Sequence, residues 1–163
     1  MKIVKYLGIA LAVLLALAIV CAGIARLVIN GPIGPVAGGQ LDGSQRAAPA
    51  DWYFTNEHST IAVEVQPEDP HSVTVVCFVS AGELYIPARN AAEKDWPQMA
   101  LADGRARVRV GDDLYPVQLV KVEDQSELEG GFRAAIEKYP RLAAQSGGQV
   151  PDGVWLFRAE RRP

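Results

Sequence analysis

Histidine and cysteine are scarce in this 163-residue chain, with two of each. Cys21 lies in a long apolar run and Cys77 in a β-branched stretch, so the pair builds no intramolecular disulfide framework. His58 and His71 stand beside loop signals, and neither has a second His or Cys at metal-ligand spacing. There is no Gly-x-Ser-x-Gly elbow, no phosphate-binding Gly-rich loop and no internal repeat. An excess of positive charge is missing too. Three of the 16 Lys and Arg fall in residues 1–30 with none of the 19 Asp and Glu, leaving 13 basic against 19 acidic residues beyond. A field about six charges negative argues against a nucleic-acid partner. Asp112 and Asp113 are paired carboxylates, but they occupy a turn signal and read as solvated turn formers. Any catalysis would therefore draw its reactivity from a cofactor.

What the chain has in plenty is apolar sequence near its start. After MKIVK come twenty uncharged residues, Tyr6–Ala25, almost all Leu, Ala, Ile, Val or Gly. At about 1.5 Å of rise each, they match a hydrocarbon core about 30 Å thick. Residues 1–29 are accordingly expected to form a single-pass anchor in a lipid bilayer. A cleaved signal peptide is the second reading, although its apolar region is normally about 7–15 residues. A lipoprotein site at Cys21 would place bulky Val20 where a small residue is needed. Lys2 and Lys5 precede the run and only Arg26 closely follows it, so the rest of the chain is expected outside the cytoplasm, in a periplasm or on an outer surface.

Residues 30–51, rich in Gly, Pro, Ala and Ser, have the composition of a linker. Residues 52–163 form the expected domain, opened by Trp52, Tyr53 and Phe54 as a hydrophobic plug. TIAVEVQ alternates Ile61, Val63 and Val65 with Ala62, Glu64 and Gln66, the period of a half-buried strand. SVTVVCFV (72–79) is a dense β-branched run, and LYIPA returns across SAGE as a hairpin partner. A short helix follows with Asp95 as N-cap, ending near Gly104. RARVRV and LYPVQLVKVED make a second hairpin across GDD, with Arg105, Arg107 and Arg109 on one outer face. Residues 125–138 read as a helix weakened by Gly130 and Gly131, YPRLAAQSGGQVPDG as a loop, and VWLFRAERRP as a last strand. The expectation is a mainly β domain with two short helices, its six antiparallel strands forming a small barrel.

One stretch carries chemistry. In LYIPARNAAEKDWPQ a strand gives way to a loop bearing Arg89 and Lys94 and then to a helix start. Backbone N–H groups at a helix N-terminus carry about half a positive charge, and two cations beside them suit a phosphate. An ordinary solvated turn explains the same residues.

From about residue 72 onward the chain resembles the FMN-binding split-barrel superfamily of pyridoxamine-phosphate-oxidase-like proteins and deazaflavin-dependent nitroreductases. The resemblance rests on SVTVVCFVSAGELYIPARNAAEKDWPQMALADGRARVRVGDDLYPVQLVKVED and on the closing GVWLFRAERRP. It implies a six-stranded split β-barrel, an FMN or related flavin cofactor and a homodimer with the flavin at its interface. Arg89 and Lys94 match the cations that hold the flavin phosphate. Val75 and Cys77, or Val76 and Phe78 if the other face is turned, would lie along the ring, with Trp96 approaching the same pocket. The resemblance implies an oxidoreductase, which the apolar run Tyr6–Ala25 would anchor in the membrane. An envelope binding module on the same barrel is the rival reading. Haem is the weaker alternative, with His58, His71, Tyr115 or Cys77 as its candidate ligands.

Overall fold

The computed structural model describes residues 2–28 and 30–162, and side chains there except at 2–5, 7, 9, 10, 22, 24–28, 143 and 145. The first helix, α1, covers Lys2–Val28. Its described apolar side chains, among them Leu11, Leu14, Leu17 and Val20, are exposed. Among the described residues no helix is long and apolar enough to cross a membrane. Several side chains of the expected anchor Tyr6–Ala25, and those of Lys2, Lys5 and Arg26, lie outside the described residues.

Eight strands follow, where six were expected. They are β1 (Ser44–Gln45), β2 (Ile61–Val65), β3 (His71–Val75), β4 (Phe78–Ser80), β5 (Glu83–Ala88), β6 (Arg105–Val110), β7 (Asp113–Lys121) and β8 (Trp155–Arg161). Seven of them run β3-β2-β6-β7-β8-β5-β4 across one curled antiparallel sheet. The two ends of this path, β3 and β4, are separated by only Val76 and Cys77 in the chain, which forces the sheet to bend back on itself. The run 72–79 is thus two strands and not one. Its broken backbone is held by Tyr139, whose hydroxyl accepts the Cys77 N–H (3.4 Å) and lies 2.7 Å from the Cys77 and Ser59 carbonyls.

Beyond β5 come α2 (Asp95–Ala102), α3 (Gln125–Lys138) and α4 (Pro140–Ser146). Lys94, not Asp95, is the N-cap residue of α2, and it makes no side-chain cap bond. The α3 cap is built as such caps are: the Asp124 carboxylate accepts the Glu127 N–H at 2.8 Å. The third helix of the domain, α4, falls in the stretch expected as a loop. It starts with Pro at its first turn, a place where the missing N–H costs little.

Burial divides into three layers. The inward side chains of β2, β6, β7, β8 and β5 enclose the main core, with Val63, Val108, Val117, Phe157 and Ile86 fully buried. On the outer face of β4, β5 and β8, Phe78, Tyr85 and Leu156 are covered by Ala135 and its neighbours on α3. On the outer face of β2 and β7, Ala62 and Leu114 are covered by Leu41.

This last layer corrects the linker expectation. The segment 38–46 is a strap laid on the sheet: Gly38 exchanges backbone hydrogen bonds with Ser72, and β1 pairs parallel with β7 at Ser44–Asp113. Beneath it every residue of β2 is buried, so the strand is not half-exposed. Glu64, 2% exposed, accepts two bonds from Arg107 (2.8 and 2.6 Å) and one from the Leu41 N–H. Of the aromatic plug, Trp52 is buried against Tyr115, while Tyr53 and Phe54 stay exposed.

Candidate functional site

The loop after β5 is more compact than its polar sequence implies. Asn90 adopts the left-handed conformation (φ 51°), a geometry that Asn tolerates better than most residues. A 3-10 turn, Ala91–Glu93, follows at once, and Ala91 is buried with its N–H donated to the Gly153 carbonyl at 3.0 Å. This reversal parts the two cations. Lys94 stands exposed at the start of α2. Arg89 lines a cavity of about 150 Å³ on the other side of the loop, between the sheet and α3–α4.

The cavity exists because β4 is short. It pairs with only Glu83–Tyr85, so the end of β5 has β8 on one side and no strand on the other. Pro87 sits there, where a residue without an N–H leaves no ladder donor unpaired. Phe78 and Leu156 form the floor, Leu128 and Phe132 of α3 one wall, and Leu142 of α4 another. Among the described residues the only polar side chain lining it apart from Arg89 is Ser146, whose hydroxyl donates to the Leu142 carbonyl at 2.8 Å. Among the described residues no carboxylate lies within ion-pair distance of Arg89.

The other expected ring contacts lie elsewhere. Cys77 is fully buried and Trp96 is 5% exposed, its ring 5.5 Å from that of Phe157 in the main core. Neither lines the cavity. Val75 packs half-buried against the same core. Val76 and Phe78, the opposite face of the run, do line the cavity. Burial pushes the Cys77 thiol above its ordinary value, with the Lys138 ammonium 3.7 Å away pulling in the other direction. A thiol held so is a packing residue and not a nucleophile.

His58 and His71 sit toward opposite ends of β2: His58 just precedes it, near Gly111, and His71 pairs with Val65 at its far end. Tyr115 is buried against Trp52. Among the described residues no cluster of three or more His, Cys, Asp or Glu could hold a metal. The three arginines of β6 have separate fates. Arg105 pairs with Asp103 and Glu68 (2.7 Å each), Arg107 with buried Glu64, and Arg109 packs near Gly31, seven residues before the strap.

Sequence reasoning missed one polar constellation. Tyr85 donates to Glu127 at 2.9 Å, and Arg158 binds both Glu127 and Glu160. Burial and the Glu127 carboxylate push the Tyr85 hydroxyl up to about 12. All its members are satisfied by one another, and the set fastens α3 to the sheet. Only the tertiary fold brings residues 85, 127 and 158 together, so no local signal announces it.

No family model matches the chain, and no curated protein matches it in sequence. Solved structures do match its fold. An F420-H2 dependent reductase has a TM-score of 0.51 at 17% identity, over 63% of this chain and 95% of its own. The haem storage protein HutZ from Vibrio cholerae has a TM-score of 0.53 at 13% identity, over 68% and 86%. A candidate pyridoxamine 5'-phosphate oxidase from Listeria innocua has a TM-score of 0.50 at 15% identity, over 68% and 89%. At these identities the likeness speaks for architecture. The curled sheet, its helical cover and these neighbours together show that the chain has a split-barrel fold.

Proposed function

We propose that this chain binds a flavin-type cofactor on its split barrel and carries out an oxidoreduction with it. The observation behind the reading is the fold, joined to an exposed cation, Lys94, at the start of α2. A bound flavin or deazaflavin would supply the redox chemistry that the side chains themselves lack. Lys94 and the first N–H groups of α2 fit the phosphate end. The cavity lined by Arg89, about 150 Å³, has room for a single ring and not for three fused ones, so the flavin ring is assigned elsewhere. The reading therefore includes a homodimer in which the second copy completes the ring site. A monomer by light scattering would remove that part. It also includes an anchor through Tyr6–Ala25, with residues 31–163 outside the cytoplasm. Supporting this are the twenty-residue uncharged run and the exposed apolar side chains of α1.

A haem site on the same fold is the second reading, motivated by the likeness to a haem storage protein. The separation of His58 from His71 and the burial of Cys77 and Tyr115 weigh against it. A third reading is a cofactor-free binding module of the envelope. The absorption spectrum of the purified chain separates the three. Flavin-type bands are expected as isolated or after adding FMN or F420, whereas a Soret band would mark haem. A colourless chain that takes up neither would mark the binding module. Lys94→Ala is expected to weaken cofactor affinity by about one to two decades, since a hydrogen bond to a charged group is worth about 1.5–3 kcal/mol. Unchanged affinity would make the loop a plain turn.

A further inference from the structure

We propose that the cavity beneath α3 and α4 is a binding site for a small hydrophobic monocarboxylate, separate from the flavin-type site and independent of that reading. Its size sets the apolar part of the ligand. About 150 Å³ matches one aromatic ring or a short branched chain, and apolar cavities of this size stay dry and take such molecules. Its walls agree, since Phe78, Pro87, Leu128, Phe132, Leu142 and Leu156 offer no hydrogen-bonding side chain. Ser146 has already spent its hydroxyl hydrogen on the Leu142 carbonyl.

The polar end is set by Arg89. Among the described residues it is the only charged side chain lining the cavity, and no carboxylate pairs with it. A guanidinium presents two parallel N–H groups that match the two oxygens of a planar carboxylate. One cation balances one negative charge, whereas a phosphate monoester brings about 1.5 to 2 charges and asks for further donors. Access lies past the end of β5, where β4 has stopped, and beside Val150 and Val154 on the loop before β8.

The test is a calorimetric titration of the full chain with 4-methylbenzoate and with its uncharged counterpart, 4-methylbenzyl alcohol. The carboxylate is expected to bind one per chain, about tenfold tighter than the alcohol. Arg89→Ala should erase that tenfold difference and leave the alcohol unaffected, and Arg89→Lys should restore part of it. Val150→Phe, a loop substitution that fills the opening, should abolish binding of both probes while the melting temperature holds. Lys94→Ala should leave carboxylate affinity unchanged. Equal affinity for the two probes, or no binding of either, would overturn the proposal. So would displacement of the carboxylate by FMN, because the cavity would then belong to the cofactor site.

Discussion

At the scale of single residues, Glu64 has the largest energetic consequence. It is an acidic side chain buried on the outer face of a sheet, tolerable only because Arg107 and the Leu41 N–H satisfy it. Removing one partner of such a pair is far more costly than removing both, since the survivor keeps a buried, uncompensated charge. Arg107 retains some solvent access, with a side chain 20% exposed, which places the cost toward the low end. Glu64→Leu is expected to lower stability by about 3 kcal/mol, and the double replacement with Arg107→Leu by distinctly less. Urea denaturation of the three chains measures this. Equal losses in single and double variants would refute the pairing as the cause. Residue-level legibility was uneven for the same reason. Alternation correctly put Glu64 opposite the inward Val63 and Val65. It could not reveal that a strap twenty-three residues upstream lies over that face, because Leu41 sits in Gly- and Pro-rich sequence that reads as linker.

At the scale of elements, α3 holds two adjacent glycines with opposite roles. A Cβ on Gly130 would meet nothing within 4 Å, whereas one on Gly131 would come within 3.0 Å of Leu156 and 3.5 Å of Phe78. Gly131 is therefore where the helix closes on β8 and β4, and Gly130 is a plain weakness. Gly130→Ala is expected to stabilise the chain by about 0.5–1 kcal/mol through helix propensity alone. Gly131→Ala should be neutral or destabilising as Leu156 is pushed aside. Melting curves for the pair decide it, and equal stabilisation by both would contradict the close approach. The hairpins β4–β5 and β6–β7 were readable because period-two patterning and turn residues are local signals. The break at Val76–Cys77 was not, since strand-forming Val75 and Phe78 flank it and the side chain that holds it, Tyr139, is some sixty positions away. Helix α4 was hidden by its own short length and by the Gly-rich sequence after it. Of the candidate site, Arg89 was legible as a loop cation. The apolar walls facing it were not, because they come from α3 and α4 and look like ordinary helix packing.

At the scale of the whole molecule, the strap constrains where the barrel can sit relative to α1. Only residues 29–37 separate Val28 from the hydrogen bonds of Gly38 with Ser72. Nine residues span at most about 30 Å fully extended, so a barrel carried on an anchor would ride close to the membrane surface. Protease added to spheroplasts is expected to remove residues 31–163, given Lys2 and Lys5 before the run. Protection until the membrane is lysed would reverse the orientation. Lys2→Glu with Lys5→Glu should scramble it.

The place of the last strand has a consequence for biogenesis. β8 lies between β7 and β5, so residues 155–161 join one half of the sheet, β3-β2-β6-β7, to the other, β5-β4. During synthesis residues 83–88 emerge about seventy positions before the strand that pairs with them. Until that strand is released, β4 and β5 form a two-stranded ribbon, which is marginal in water by itself. The sheet cannot be completed before residues 155–161 are released to pair. Until then the chain stays open to chaperones and proteases, and a truncation before Trp155 yields two unjoined halves in place of a shortened barrel.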